Sequence, residues 1–303
     1  MKGRFLVRFK KEKYLQMMAL LGMLWIFIFN YIPMYGIIIA FKDYSIIKSI
    51  SEVPWVGFKW FLEVFTDDNF LPVMRNTLGI SLFKLGLGFP LPIVFAILLN
   101  ELRGKHFKRF VQTISYLPHF LSWVILGGIL IAWLADTGLF NELLGLANTE
   151  HEPLNYMAKP QYFWSIAVLS EIWKELGWNA IIYLAAISGI DAQMYEAATV
   201  DGANRMQKIW FITLPSITGT ISILFVLAVA GLLTTNFEQI LVLKNSLNAP
   251  MAEVIDTYVY RMGIQAARFS YATAAGLFKS VIALILLLSA NKITKRLTGH
   301  GLY

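Results

Sequence analysis

The stretch EAATVDGANRMQKIWFITLP, residues 196–215, decides how the rest of the sequence is interpreted. It lies between two long apolar segments and is more polar than either. Asp191, just upstream, is predicted to cap a short helix because its carboxylate can accept hydrogen bonds from exposed amide groups. Gly202 suits a sharp reversal after that helix, and Pro215 is predicted to begin the next helix. The sequence therefore predicts a compact helical hairpin inside a mostly apolar chain.

The composition is typical of a protein that crosses a membrane several times. Of 303 residues, 57% are hydrophobic and 15% are charged, against roughly 25% charged residues in soluble domains. The apolar segments reach the ~20 residues that a membrane-spanning helix needs. The absence of cysteine excludes disulfide frameworks, zinc–thiolate sites and thiol catalysis. We expect an all-α polytopic membrane protein.

Six apolar segments are predicted to be transmembrane helices. The first, residues 14–41, follows a basic head and lacks a convincing signal-peptide cleavage site. It is expected to bend or end near Pro33, because proline disrupts a helix interior. The five others are residues 76–99, 111–135, 161–188, 217–237 and 272–290.

Lysine and arginine alternate between the connecting segments. Fifteen lie in residues 1–13, 100–110, 188–215 and the tail after Asn291, and eight in residues 42–75, 136–160 and 238–271. Because basic residues favour the cytoplasmic side, both termini and the hairpin are predicted to be cytoplasmic. This topology accounts for the net charge of +7 without nucleic-acid binding.

No internal repeat is visible in the sequence, and this absence argues against an inverted-repeat secondary transporter. The predicted organisation has five parts. The parts are a basic cytoplasmic N-terminus (1–13), a first transmembrane helix (14–41), an extracellular loop (42–75), a five-helix core (76–290) that includes the cytoplasmic loop 191–215, and a cytoplasmic tail (291–303).

Two interpretations of the polar hairpin are open from its residues. Ala197 and Ala198 expose little side chain, so another protein could approach the backbone closely, as when a helix docks in a groove. Alternatively, the hairpin is an amphipathic helix lying on the membrane surface. Trp210 and Phe211 fit that alternative, whereas the Ala-Ala and Asp-Gly steps do not, because an interfacial helix favours bulky apolar residues.

The hairpin resembles the EAA loop of permeases in ATP-binding-cassette importers. The matching residues are Glu196-Ala197-Ala198, Gly202 four positions on, and then Ile212, Leu214 and Pro215. The resemblance implies that this loop is a coupling helix that sits in a cleft of a cytoplasmic ATPase. The residues expected to couple to the ATPase are Glu196, Ala197, Ala198, Asp201, Gly202, Ala203, Leu214 and Pro215.

The resemblance extends over nearly the whole chain. NYIPMYGIIIAFKDYSI, WVGFKWF, ISYLPHFLSWVI and FSYATAAGLFKSVI resemble permeases for oligosaccharides of plant or algal polysaccharides, of the rhamnogalacturonan or alginate type. The resemblance implies a six-helix type I importer permease in a bacterial plasma membrane, surrounded by lipid. The implied partners are a second homologous permease in a heterodimer, an ATPase homodimer that binds ATP and Mg, an extracellular solute-binding protein and the oligosaccharide.

The sequence contains no recognisable nucleotide-binding or catalytic motif. Its Gly-Lys pair, Gly104-Lys105, lacks the spaced glycine of a phosphate-binding loop, so a separate subunit is expected to hydrolyse ATP. No cofactor or metal is expected on this chain. An importer of the same type for a non-sugar solute is one alternative. A membrane-embedded glycan enzyme using Glu171 and Glu175 is another.

Two intramembrane stretches are candidates for the sugar path, since a sugar ring has apolar faces and a polar rim. For the first stretch, the alternative is a belt of aromatic residues at the membrane interface. For the second stretch, the alternative is hydrogen bonding between helices. The candidates are Trp173, Lys174, Trp178 and Asn179 in SEIWKELGWNAIIY, and Thr234, Thr235 and Asn236 in LLTTNFEQI.

Isolated charges in apolar segments are expected to have partners. Glu171 has the spacing for a local pair with Lys174 or Glu175. Lys84 and Lys279 are expected to be paired in the bundle or to extend toward the interface, and contact with the substrate is the alternative. Pro90, Pro92 and Pro118 are candidate helix kinks.

Overall fold

A computed structural model describes residues 12–147, 152–299 and 301–302. Most of these residues are helical, and the strand-like pairing among them is an isolated antiparallel bridge between Lys42 and Trp55. Most of the predicted basic N-terminus, residues 1–11, and residues 148–151 of the predicted connection 136–160 lie outside the described residues.

The described helices follow one another along the chain, with residues 42–58 as the connection between the first two, and two single 3-10 turns precede the seventh. They are α1 Lys13–Phe41, α2 Lys59–Thr66, α3 Phe70–Glu101, α4 Lys105–Phe120, α5 Trp123–Trp133, α6 Leu139–Ala147, α7 Phe163–Ser188, α8 Ala192–Val200, α9 Arg205–Ala230, α10 Phe237–Leu243, α11 Ala249–Ala252, α12 Ile255–Tyr260 and α13 Phe269–Thr298.

Four of the described helices, α1, α3, α9 and α13, are long and apolar enough to cross a membrane. The bent pair α4 and α5, with 101° between its halves, makes a fifth if it is one span. With 26 residues, α7 is about 39 Å long and exceeds the ~30 Å hydrocarbon core. Its apolar sequence is interrupted by the charged residues Glu171, Lys174 and Glu175. The total of six membrane spans, which would include α7, therefore stays a prediction.

The helix boundaries correct several expectations. The predicted segment 217–237 is wrong at its end, because α9 stops at Ala230 and residues 231–236 are not helical. The segment 111–135 is not one straight helix but bends between Phe120 and Trp123, where Leu121 and Ser122 have an extended backbone. Of the two outcomes expected near Pro33, a bend or an end, the end is wrong: the helix changes there from a π-helical turn to a 3-10 helix and continues to Phe41. The predicted tail begins inside α13.

Three buried clusters hold the bundle together. One joins the end of α1 with α2, α3, α12 and α13, and a second joins α7 to α10, to α11 and to Ile80 of α3. In the third, Ala96 of α3, Ala180 of α7 and Ile217 of α9 pack together, and the small alanines let these helices approach closely. By contrast, the first half of α1 has no buried residue. The cluster around Ala96 places α3, α7 and α9 around the cavity described next.

Candidate functional site

The hairpin, residues 191–215, forms as predicted around its cap and its glycine. The Asp191 side chain accepts a hydrogen bond from the Gln193 amide at 3.0 Å and begins α8. Gly202 has φ +79°, a left-handed conformation that costs little only for glycine. The chain then re-enters a helix through a capping box in which Asn204 and Gln207 exchange hydrogen bonds of 2.9 and 2.7 Å. The sharp reversal at Gly202 is confirmed.

The outer surface of the hairpin is open. No residue of α8 is buried, and the predicted coupling residues Glu196, Ala197, Asp201, Gly202 and Pro215 are exposed. The other three, Ala198, Ala203 and Leu214, are half-buried. This arrangement leaves a small-residue face that a partner could contact.

The inner side of the hairpin is tied to α9. The Tyr195 and Thr213 hydroxyls lie 2.9 Å apart, and Lys208 donates to the Thr199 hydroxyl at 2.7 Å. The expectation that Pro215 begins a helix is confirmed for the α-helical part of α9, Leu214–Ala230, in whose first turn it lies. The shorter helical segments from Arg205 to Thr213 lead into that part without a break. A π-helical turn at residues 209–213 precedes the proline, where the missing proline amide interrupts the regular hydrogen-bond pattern.

A cavity of about 340 Å³ lies between α3, α7, α9 and the non-helical residues 231–234. Of the predicted path residues, Asn179 and Thr234 line it; Trp173, Lys174, Trp178, Thr235 and Asn236 do not. Its polar lining consists of Ser81, Lys84, Glu171, Glu175, Asn179, Tyr183 and Thr234. Apolar residues, among them Phe89, Ile172, Leu224 and Leu232, supply the rest.

An ion pair joins α3 and α7 at the cavity wall. Lys84 contacts Glu171, so the expectation that Lys84 is paired in the bundle is confirmed. The expected local pair of Glu171 with Lys174 or Glu175 is wrong, because Lys174 instead faces Glu175, at 3.4 Å. A partner on α3 lets Glu171 be buried without leaving an unpaired charge.

Lys174 stabilises the bend between α4 and α5. Its ammonium donates to the His119 carbonyl at 2.5 Å and lies 3.5 Å from the Pro118 carbonyl. These carbonyls belong to the last turn of α4, where backbone donors are scarce; that of Pro118 also accepts from the Leu121 amide, at 3.2 Å. Gly177, one turn further along α7, faces the Ser115 carbonyl so closely that a β carbon would clash. Lys174 therefore has a structural role and lies behind the cavity wall.

One of the two predicted tryptophans, Trp178, lies beside the same bend. The Trp178 ring stacks on His119, with centroids 4.2 Å apart and planes 3° apart. His119 Nδ1 lies 2.8 Å from Glu175 Oε2, so His119 connects the bend to the cavity lining. Trp173 is exposed and packs near Trp133.

The break at 231–236 is held by hydrogen bonds from two sides. The Thr235 amide and hydroxyl both donate to Asp256 Oδ2 at 3.1 Å, and Lys279 pairs with the other carboxylate oxygen, which confirms the expectation for Lys279. Asn236 accepts from the Gln239 amide at 3.4 Å and caps α10. Gln239 in turn donates to α7, at the Ala167 carbonyl, at 2.7 Å. Thr235 thus makes a contact between elements, as in the alternative interpretation, whereas Asn236 caps its own helix.

Sequence reasoning missed His119 and Asp256, whereas Gln239 lies in the predicted stretch LLTTNFEQI. Asp256 lies in a predicted extracellular connection, where a carboxylate is ordinary, so the sequence carries no signal for its role. No group of three or more residues that could hold a metal ion occurs within the described ranges 12–147, 152–299 and 301–302.

Comparison with known proteins places this geometry in a family. Residues 88–299 match the family described as "Binding-protein-dependent transport system inner membrane component". The chain is 42% identical over 301 residues to the polygalacturonan/rhamnogalacturonan transport system permease protein YteP of Bacillus subtilis (strain 168). The aligned region covers 99% of this chain and 93% of that protein. It is also 42% identical over 295 residues to protein LplB of the same organism, covering 97% and 92% of the two chains.

A solved structure is similar over the whole chain. It is that of a bacterial alginate ABC transporter in complex with an alginate pentasaccharide-bound periplasmic protein, with a TM-score of 0.90 and 40% sequence identity. The similarity covers 99% of this chain and 100% of the matched chain. At this identity, the similarity extends beyond the general fold.

Proposed function

This chain belongs to the family of inner membrane components of binding-protein-dependent transport systems, and we propose that it forms half of the translocation path of an ATP-driven oligosaccharide importer. It is a transport subunit and not an enzyme, because the relatives in this family are permeases. The observation that carries the proposal is the continuity of α9. One end of α9 holds the exposed hairpin, and the other end lines the cavity through Leu224 and Ala228.

The substrate class is inferred from the relatives and from the cavity together. Polygalacturonan, rhamnogalacturonan and alginate appear in the names of the relatives. The cavity presents an amide and hydroxyls, at Asn179, Thr234 and Ser81, next to the aromatic ring of Phe89. This mixture suits a sugar ring, with its apolar faces and polar rim. An importer for a non-sugar solute is the alternative, and it predicts no response to oligosaccharides.

In the proposed mechanism, the hairpin transmits the motion of the ATPase. An ATPase pair that binds ATP and Mg closes and presses on the face around Ala197 and Ala198. Because Tyr195 and Lys208 tie this face to α9, the push tilts α9 and changes the side on which the cavity opens. Transport then follows from alternating stabilisation of two conformations.

The proposed assembly needs several further subunits, since one chain supplies one wall of the path. These are a second homologous permease, an ATPase homodimer and an extracellular solute-binding protein; the alginate transporter complex contains a periplasmic protein. We propose six spans in a bacterial plasma membrane, with both termini and the hairpin on the cytoplasmic side. The exposed apolar residues of α1 would then face lipid and the second permease.

The test is to purify the tagged chain from native membranes in mild detergent and to identify its partners by mass spectrometry. The complex and its binding protein are then reconstituted in liposomes for uptake of a radiolabelled galacturonate trisaccharide. We expect an ATPase and a second permease to co-purify, and uptake to require ATP. A chain that purifies alone, while a control membrane complex survives the same detergent, would contradict the proposal. So would a complex that takes up phosphate or amino acids and no oligosaccharide.

A further inference from the structure

Four charged side chains lie at or directly behind the cavity wall, and they differ in exposure. Lys84, Glu171 and Glu175 line the cavity, while Lys174 lies behind it. Their side chains are 33%, 11%, 24% and 8% exposed, respectively. Lys84 is therefore the most accessible charge of the group, and it is a cation.

The pair of Lys84 and Glu171 is asymmetric. Both residues line the cavity, but Glu171 is the more buried member and Lys84 the more exposed one. An ammonium has three N–H donors, and Glu171 accepts through one oxygen in this pair. Donors of Lys84 are thus available to a ligand while Glu171 holds the side chain in place.

Lys84 begins a distorted turn of the helix that borders the cavity. It is the first residue of a π-helical turn that ends at Gly88, and such turns are frequent at functional sites. Leu85, Gly88 and Phe89 line the cavity together with Lys84. This distorted turn therefore forms part of the cavity wall.

The carboxylate of Glu175 is compensated by its own neighbours. It lies 3.4 Å from the Lys174 ammonium and 2.8 Å from His119 Nδ1. An anionic ligand near Lys84 therefore meets a lining in which each glutamate already has a basic partner. A lysine at membrane depth is costly, and a neutral sugar needs hydrogen-bond donors but no full charge. A carboxylate, by contrast, gains a charge-assisted hydrogen bond from an ammonium.

We infer that Lys84 binds the carboxylate groups of an acidic oligosaccharide as it passes through the cavity, with Glu171 as the positioning residue. This inference rests on the proposed function. According to this inference, one ion pair in the membrane-spanning part selects acidic sugars over neutral ones. This selection adds to any selection by the binding protein.

The test uses the reconstituted complex with its binding protein and four variants of this chain. These are Lys84→Arg, Lys84→Gln, Glu171→Gln and the double variant Lys84→Gln/Glu171→Gln. The probes are a galacturonate trisaccharide and its methyl ester, and each rate is expressed relative to the unsubstituted complex for the same probe, so that the preference of the binding protein cancels. Assembly and basal ATPase activity are measured for every variant.

A recognition role and a purely structural role of the pair predict opposite results for the double variant. If the pair only stabilises the bundle, removing both charges leaves no unpaired buried charge and restores uptake. If Lys84 binds the carboxylate, the double variant still loses about tenfold in uptake of the acidic probe, the value of one charge-assisted hydrogen bond. Uptake of the methyl ester then changes less than twofold, and Lys84→Arg retains most uptake of the acidic probe.

A matched control removes an ion pair outside the cavity lining. The double variant Lys279→Gln/Asp256→Asn neutralises a comparable pair, and we expect it to affect both probes equally. Restored uptake of the acidic probe in the Lys84/Glu171 double variant, or equal loss for both probes, would overturn the inference and leave the proposed function standing. An unsubstituted complex that takes up neither probe would instead overturn the proposed function.

Discussion

The hairpin of residues 191–215 and the cavity between α3, α7 and α9 are held together by different kinds of contact. In the hairpin, the cap at Asp191, the turn at Gly202 and the capping box after it join residues two or three apart in sequence. The cavity instead depends on pairs between distant elements, such as Lys84 with Glu171 and Lys174 with His119. A local unit can be presented to a partner without disturbing the bundle. A site built between helices changes shape whenever the helices move, which is what alternating access requires.

The largest effect is expected from Gly202→Val. A β-branched side chain at φ +79° is strained by at least about 1–2 kcal/mol, and the turn opens. Because the hairpin is proposed to transmit the motion of the ATPase, we expect ATP-driven uptake to fall at least tenfold while the bundle stays folded. The measurement is uptake by the reconstituted complex together with its thermal midpoint.

Gly299→Val is the matched control for this prediction, since Gly299 has φ +73° at the end of α13, outside the hairpin. Its uptake should fall less than twofold. Equal losses for both variants would mean that strain in general, and not the hairpin, limits transport.

The next effect is expected from Lys174→Met, which removes the donor to the last carbonyls of α4 and leaves Glu175 without its ammonium partner. Loss of one member of a buried charged network costs about 3–5 kcal/mol, so we expect a clear drop in the unfolding midpoint in detergent. Lys48→Met, at an exposed loop position, should change stability by less than about 0.5 kcal/mol. A Lys174 variant as stable as the Lys48 variant would refute the structural role of Lys174.

A smaller effect is expected from Thr235→Val. The change keeps the shape of the side chain but removes its hydrogen bond to Asp256, and one such bond contributes about 1 kcal/mol. The Thr235 amide and Lys279 still hold Asp256, so folding should persist. Chemical denaturation of the purified complex measures the loss, with Thr66→Val at the exposed end of α2 as control. A loss no larger than that of the control would show that the break is held without this bond.

The smallest effect concerns acid and the loop before α3. Burial opposes ionisation of Asp67, but hydrogen bonds from Asn69, Tyr258 and Tyr271 outweigh it and hold the pKa of Asp67 below its usual range. With a lower pKa in the folded state, the contribution of Asp67 is present above its unfolded pKa of about 3.9 and is lost as pH falls through the folded pKa. When the pH is lowered from about 5 to 3, the Asp67→Asn variant should therefore lose less stability than the unsubstituted chain does. Parallel pH profiles of the unfolding midpoint would contradict this.

The sequence predicted what depends on neighbours along the chain and missed what depends on distant contacts. The cap at Asp191 and the reversal at Gly202 follow from local hydrogen bonding and backbone freedom, and both are confirmed. Isolated charges in apolar segments are costly, so the sequence predicted that Lys84 and Lys279 have partners. It could not identify these partners as Glu171 and Asp256, because the sequence does not show which faces of the helices pack together. The break after Ala230 is stabilised by Asp256, far along the chain, so a continuous apolar run was mistaken for a continuous helix.

The most direct test of the central claim is site-specific crosslinking from the hairpin in the assembled complex. The chain has no cysteine, so Val200→Cys in the hairpin, 88% exposed, and Ile47→Cys in the loop after α1, 90% exposed, can each carry a single photoreactive maleimide. We predict that Val200→Cys crosslinks to the ATPase with a yield that changes when ATP is added, and that Ile47→Cys does not crosslink to it. Crosslinking of the ATPase from Ile47→Cys, or from neither position in an intact complex, would contradict the account.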